Sequence, residues 1–273
     1  MATANVNGIR IHYQVEGAGP PLLLISGLGQ NSLSWAPIVP MLRDTFSCIT
    51  FDNRGTGRSD VPPGPYTIDQ MSDDAAALIE HLKVGPVSAV GWSLGGSVLQ
   101  SMLIRHRDQL KCAVLLSAFP SYTELQHRWL DCRIALQRSG VEPLSQTVFG
   151  AAWVFTPRWL SNHTAAVATA KLGLKDPYPT SIEGFEAQAH GLRRYDARPA
   201  LPTVTTPTLV VVGAEDILTP VEQSAEIARL IPGAKLQVLP RGGHGMALEY
   251  TSDTVRAIRA FLTAKSRATV RPA

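Results

Sequence analysis

The chain has 273 residues, 45% of them hydrophobic and 17% charged, which excludes a disordered chain and supplies enough apolar side chains for a large core. Its 25 Lys and Arg face 22 Asp and Glu, a net charge of +3 that gives no basic excess for nucleic-acid binding. Three cysteines, Cys48, Cys112 and Cys132, lack C-x-x-C spacing, so neither a disulfide framework nor a zinc site is expected. No stretch approaches the roughly 20 apolar residues of a membrane span, and residues 1–19 contain no apolar run of a secretion signal. The expectation is a cytoplasmic protein, monomer or homodimer, with a small-molecule substrate and neither a nucleic-acid nor a membrane partner.

In chain order, Ile9, Ile11, Tyr13 and Val15 recur with period two and residues 17–21 break the run, predicting a strand in an edge hairpin. Residues 22–25 form a continuous apolar run between Pro21 and Gly27, as a strand buried on both faces requires. Residues 46–51, 87–90, 112–116, 208–212 and 236–239 have the same character. Between these runs the period changes. Trp35, Ile38, Val39 and Leu42 predict a helix disturbed by Pro40. Ile68, Met71, Ala75, Leu78 and Leu82 share one helical face, with Thr67 and Gln70 spaced for a capping box. Val255, Ile258 and Leu262 mark a final helix. Strands alternating with helices predict an α/β protein with a mostly parallel sheet and helices on both faces.

The alternation fails across residues 120–202, which are helical in character and rich in Trp, Tyr and Arg. Trp129, Leu130, Ile134 and Leu136 fit one helix, and residues 175–179 read as a loop. The predicted organisation is a core in two parts, 1–119 and 203–273, with 120–202 inserted as a helical lid over a pocket. The plainer reading makes the aromatics of the insertion a satellite core. Trp92, Trp129, Trp153 and Trp159 are the candidate pocket residues.

The segment Gly91-Trp92-Ser93-Leu94-Gly95-Gly96 follows the 87–90 run and precedes a helical pattern at Val98, Leu99, Met102 and Leu103. A bare G-x-S-x-G is weak. Between a buried strand and a helix it is a candidate nucleophile elbow, because its glycines permit the sharp turn that lifts the serine hydroxyl out of the sheet. A serine hydroxyl attacks poorly at neutral pH, so an imidazole must take its proton and an acid must orient the imidazole. His244 lies in Gly242-Gly243-His244-Gly245, between the last strand and the last helix, where small neighbours let the ring reach across the sheet edge. His12, His81, His106, His127, His163 and His190 lack that setting. Asp216, in Gly213-Ala214-Glu215-Asp216, is the leading acid and Glu215 its rival; no Asp or Glu lies between Cys112 and Pro120. The order Ser93, Asp216, His244 suits a nucleophile elbow.

Acyl transfer also needs donors where charge develops on the carbonyl oxygen. In Ser26-Gly27-Leu28-Gly29, after the 22–25 run, the Leu28 amide is placed to pair with the Leu94 amide as an oxyanion hole. This loop lacks the G-K-[ST] ending of a phosphate loop. Residues 52–59, with Arg54 and Arg58, read as a structural turn beside the site.

Through these segments the chain resembles the α/β-hydrolase superfamily. The resemblance implies an eight-stranded, mostly parallel sheet, a helical cap after the sixth strand, a Ser93, His244, Asp216 triad with a covalent intermediate on Ser93, and no cofactor or metal. Ser26 departs from the pattern, since many relatives have His there. Residues 131–144 and 155–161 resemble the cap of the enol-lactonase and aminoacrylate-hydrolase branch, which implies a small polar acid, lactone or amine-bearing substrate whose carboxylate Arg128, Arg133 or Arg158 would meet. The expected activity is cofactor-independent hydrolysis of a small carboxylic ester or (enol-)lactone. Cleavage of a carbon–carbon bond in a β-diketone-like substrate, or a ligand receptor without turnover, stays open on the same residues.

Overall fold

The computed structural model describes residues 2–162, 164, 167 and 174–268. Eight strands form one sheet: β1 (Ala2–Val6), β2 (Ile9–Glu16), β3 (Pro21–Ile25), β4 (Ser47–Phe51), β5 (Val87–Trp92), β6 (Leu110–Leu116), β7 (Thr208–Gly213) and β8 (Lys235–Leu239), in the order β1-β2-β4-β3-β5-β6-β7-β8. The pairs β1·β2 and β2·β4 are antiparallel and the rest are parallel. The chain lays β4 on one side of β3 and then β5 on the other, so strand order reverses at β3. Such a switch point opens a crevice at the carboxyl ends of the two strands. The loops after β3 and β5, with Gly27 and Ser93, leave the sheet there.

Both faces of the sheet are covered, and the pleat divides the side chains between them. Leu23 and Ile25 join one core with Ile68, Met71, Leu78, Val98 and Met102, while Leu22 and Leu24 join the other with Trp35, Ile38, Ile258 and Leu262. The first face carries α2 (Ile68–Leu82) and α3 (Leu94–Arg105). Burying each such aliphatic side chain contributes about 1.5–3 kcal/mol. At the start of α2 both bonds of the predicted capping box form, Gln70 N–H to Thr67 Oγ1 at 3.0 Å and Thr67 N–H to Gln70 Oε1 at 2.9 Å.

Three expectations change. The hairpin turns at Asn7-Gly8, both at positive φ (48° and 77°), rather than at 17–21, because Asn-Gly suits the tight turn of a two-residue loop. The helix expected over 35–42 is split into a 3-10 turn (Ser32–Trp35) and one helical turn, α1 (Val39–Leu42), since Pro40 fits only near a helix start. Residues 236–239 belong to the edge strand β8, paired only with β7, so Leu236 and Val238 are exposed instead of buried.

Between β6 and β7 the described helices are α4 (Glu124–Arg138), α5 (Pro143–Val154), α6 (Pro157–Ser161) and α7 (Ile182–Arg194). Leu130, Phe185 and Ala189 form a small separate cluster with Trp129 and Ile134, and it closes on Leu28 of the loop after β3. Beyond β7 come α8 (Val221–Leu230), α9 (Met246–Glu249) and α10 (Thr251–Ala268). Among the described residues no helix is long and apolar enough to cross a membrane.

Candidate active site

Ser93 sits between β5 and α3 with φ 56° and ψ −116°, a conformation that a non-glycine residue adopts only under constraint, at about 1–3 kcal/mol. The constraint comes from the backbone. Ser93 N–H donates to Leu116 O at 3.0 Å, and Ser93 O accepts from Gly96 N–H at 2.8 Å. A Cβ on Gly91 would come closer than 3.0 Å to Gly95 O, and one on Gly95 closer than 3.0 Å to Ile25 O. Glycine at both positions therefore lets the turn close and lets α3 start against the end of β3. The same packing places Gly27 against the serine: a Cβ there would lie 3.5 Å from Ser93 Cβ.

His244 comes from the loop after β8 and Asp216 from the loop after β7. The two loops meet at Gly213, where a Cβ would strike Gly242 O, and Glu215 N–H donates to Gly242 O at 3.0 Å. His244 Nδ1 lies 3.1 Å from Asp216 Oδ2, and both residues are buried. Asp216 Oδ1 accepts from the Leu218 and Thr219 amides at 3.0 and 2.7 Å, and Oδ2 from the Thr219 hydroxyl at 2.7 Å. Burial pushes this carboxyl up, but attraction to the imidazole and the bonds from His244 and Thr219 outweigh it and hold Asp216 below the usual carboxylate range. An ionised Asp216 only accepts, so Nδ1–H is the donor of this pair, and the tautomer with its proton there leaves the Nε2 lone pair available. Thr219 Oγ1, 3.0 Å from Nδ1, braces the same pair.

Ser93 and His244 line one cavity of about 80 Å³, with Gly27, Leu28, Gln30, Trp92, Phe119, Tyr122, Gln126, Trp129, Val154, Leu218 and Thr219. The amides of Leu28 and Leu94 make no hydrogen bond to another described residue. Burial pushes the Tyr122 phenol well above its ordinary range and keeps it neutral. Asp52 and Arg58 of the 52–59 turn are not among these lining residues: Asp52 accepts from Ser32 N–H at 2.7 Å and from Arg58 N–H at 2.9 Å.

Residues 20–250 match the sequence profile of the alpha/beta hydrolase fold family, far more than half of the chain. The chain belongs to that family. A Caulobacter segnis protein provisionally named carbamate hydrolase RutD is 30% identical over 257 residues, covering 91% of this chain and 94% of the relative. The enol-lactonase of Burkholderia xenovorans LB400 superposes with a TM-score of 0.86 at 26% identity, covering 96% of this chain and all of that one. A thermophilic esterase of Thermogutta terrifontis gives 0.84 at 28% identity, with 97% and 98% covered. The resemblance to enol-lactonases therefore holds in both sequence and fold.

In this α/β hydrolase the predicted residues divide. Ser93, His244, Asp216, Leu28, Trp92 and Trp129 converge on the cavity or its immediate support, and Leu94 presents its amide beside Ser93. Trp153 and Trp159 are not among the described lining residues: Val154 takes the cavity side of α5, and Trp159 stacks on Phe155 with ring centres 6.0 Å apart. Arg128, Arg133 and Arg158 do not line it either. Arg128 pairs with Glu124 at 2.6 Å, and Arg133 donates to Gln146 O at 2.8 Å while lying over Phe185. Glu215 turns outward and is exposed. His163 lies outside the described residues.

Sequence reasoning missed Thr219, Gln188 and Glu249. Gln188 of α7, fully buried, accepts from Gly29 N–H at 3.0 Å and donates to Arg54 O at 2.8 Å, which fixes the loop that carries Leu28. Glu249 accepts from Gly243 N–H at 3.0 Å and from the Thr156 hydroxyl at 2.6 Å, tying the start of α6 to the His244 loop. Only Thr219 had a local signal, the Asp-x-x-Thr turn that begins at Asp216.

Proposed function

We propose that this chain is a serine hydrolase that cleaves a small carboxylic ester or lactone, with Ser93 as nucleophile, His244 as general base and acid, and Asp216 as the group that orients His244. The observation that carries the reading is the His244 Nδ1 to Asp216 Oδ2 contact of 3.1 Å in the wall of the cavity that also holds Ser93. Ser93 Oγ attacks the carbonyl carbon as its proton passes to His244 Nε2, and the carbonyl electron pair moves to oxygen. The Leu28 and Leu94 amides hold that oxyanion. Collapse breaks the bond to the leaving oxygen, which takes the proton from His244. Water then repeats the sequence on the acyl-enzyme, releasing the acid and restoring the Ser93 hydroxyl. In a lactone the leaving oxygen stays tethered to the acyl group.

The α4–α7 segment is the cap, whose Trp129 and Val154 close the cavity from above. The names of the relatives, a carbamate hydrolase, an enol-lactonase and an esterase, support hydrolysis at a carbonyl as the shared chemistry. The test is Ser93→Ala: turnover of p-nitrophenyl esters is expected to fall by about 10³-fold or more, and covalent labelling by a fluorophosphonate to disappear, with the circular dichroism and melting transition retained. A folded variant that still turns over substrate at the wild-type rate would rule this assignment out.

A further inference from the structure

The wall nearest the nucleophile carries polar groups that the protein leaves unused. Gln30 lines the cavity, and its side-chain amide makes no hydrogen bond to another described residue, although Oε1 is buried. Gly27 locates that oxygen: a Cβ on Gly27 would lie 3.0 Å from Gln30 Oε1 and 3.5 Å from Ser93 Cβ. The amide thus sits within reach of a group one or two bonds from a carbonyl attached to Ser93. From α4, Trp129 Nε1 is likewise buried without an acceptor. Gln126 differs, because its amide is fully engaged, donating to Leu218 O at 2.9 Å and Gln223 Oε1 at 3.0 Å and accepting from Thr123 N–H at 2.7 Å. Gln30 Oε1 and Trp129 Nε1 are thus an acceptor and a donor left unpaired on two residues that line one cavity, and buried polar groups seldom stay so, which calls for a ligand that supplies the partners.

Charge narrows the ligand further. No Lys, Arg, Asp or Glu is among the described lining residues, and the cap residues Arg128 and Arg133 are held elsewhere. An anionic substituent would enter this cavity without a counter-charge, which is strongly unfavourable.

We propose that the site takes an uncharged ester or lactone whose acyl part carries a hydroxyl or N–H on the carbon beside the scissile carbonyl, and that Gln30 is the residue that selects it. This rests on the acyl-transfer reading above. The experiment compares kcat/KM for p-nitrophenyl propanoate, p-nitrophenyl 2-hydroxypropanoate and mono-p-nitrophenyl succinate, each corrected with the Ser93→Ala protein as background. Wild type is set against Gln30→Leu and against Gln30→Met, which keeps the length of the side chain without its amide. The hydroxy-to-plain ratio is expected to fall about tenfold in both variants, the size of one hydrogen bond. The succinate ester is expected at least about a hundredfold below the propanoate in wild type. An unchanged ratio in the variants, or a succinate ester turned over as fast as the propanoate, overturns the role of Gln30 or the uncharged substrate while Ser93-dependent turnover leaves the hydrolase reading standing. Absence of Ser93-dependent turnover for all three esters overturns both.

Discussion

The two walls of the candidate active site are fastened by different means. On the core side, Ser93, the Leu28 loop and the end of β3 are pressed together through Gly91 and Gly95, positions where a single extra carbon would run into backbone oxygen. On the cap side, α5 and α6 bury no residue completely, and besides the Leu130, Phe185 and Ala189 cluster and the close approach of Gly184 to Gly55 the segment is held by side-chain bonds: Gln188 to Gly29 and Arg54, Gln126 to Leu218, Glu249 to Gly243 and Thr156. The core wall around Ser93 therefore rests on backbone approaches that admit no extra carbon, whereas the cap wall adds bonds that can be removed one at a time. Gly95→Ala tests the first half of that contrast. Its Cβ would force Ile25 and Ser26 away from α3 and carry the Leu28 amide out of position, so kcat/KM for a p-nitrophenyl ester should fall at least about a hundredfold and stability by about 3 kcal/mol. A variant with wild-type kinetics would show that the wall can yield.

On the cap side the expected effect is smaller and takes a different form. Glu249→Ala strips the acceptor from Gly243 N–H and from the Thr156 hydroxyl, at about 2 kcal/mol for bonds to a charged group. Gly245 N–H still donates to Val154 O at 2.7 Å, so the His244 loop keeps one tie to the cap. We expect kcat to fall about tenfold with KM changed less than about threefold, because the loop that aims the imidazole loosens while the lining groups remain. Steady-state kinetics on one ester decide it, and a change confined to KM would mean that Glu249 seats the cap alone.

The same contrast explains what the local sequence reveals and what it hides. That Ser93, Asp216 and His244 meet at one end of the sheet is legible because a strand-to-turn-to-helix context, small neighbours and chain order leave a mark on local sequence. The bonds of Gln188 and Glu249 are not, since their partners lie 159 and 93 residues away and no short pattern encodes them. Trp129 was placed and Trp159 misplaced for one reason: aromatic character announces burial but not which cavity or neighbour the ring will meet. Strand β1 was missed because only Ala4 and Val6 turn inward from it, too few points to reveal a period. The apolar run of β8 reads as a buried strand because composition alone does not distinguish an edge from a centre.

Asp52 adds a third kind of fastening and the smallest expected effect. It is fully buried and grips Ser32 and Arg58 beneath the loop that follows Leu28, through hydrogen bonds to an ionised carboxylate rather than through packing. Burial pushes this carboxyl up, but the bonds from the Arg58 amide, Ser32 and the Arg58 side chain outweigh it and leave its pKa below the ordinary value. A carboxyl whose folded pKa is depressed stabilises the fold fully above its unfolded value, about 3.9, and that contribution drains away as pH falls through the folded one. Asp52→Asn should therefore cost about 1 kcal/mol at pH 7, with the difference from wild type shrinking below about pH 4. Asp216 titrates in both proteins and cancels from the comparison. Urea melts at pH 7, 5, 4 and 3 measure the difference directly, and one that stays constant across that range would mean that shape, not charge, holds this part of the core wall.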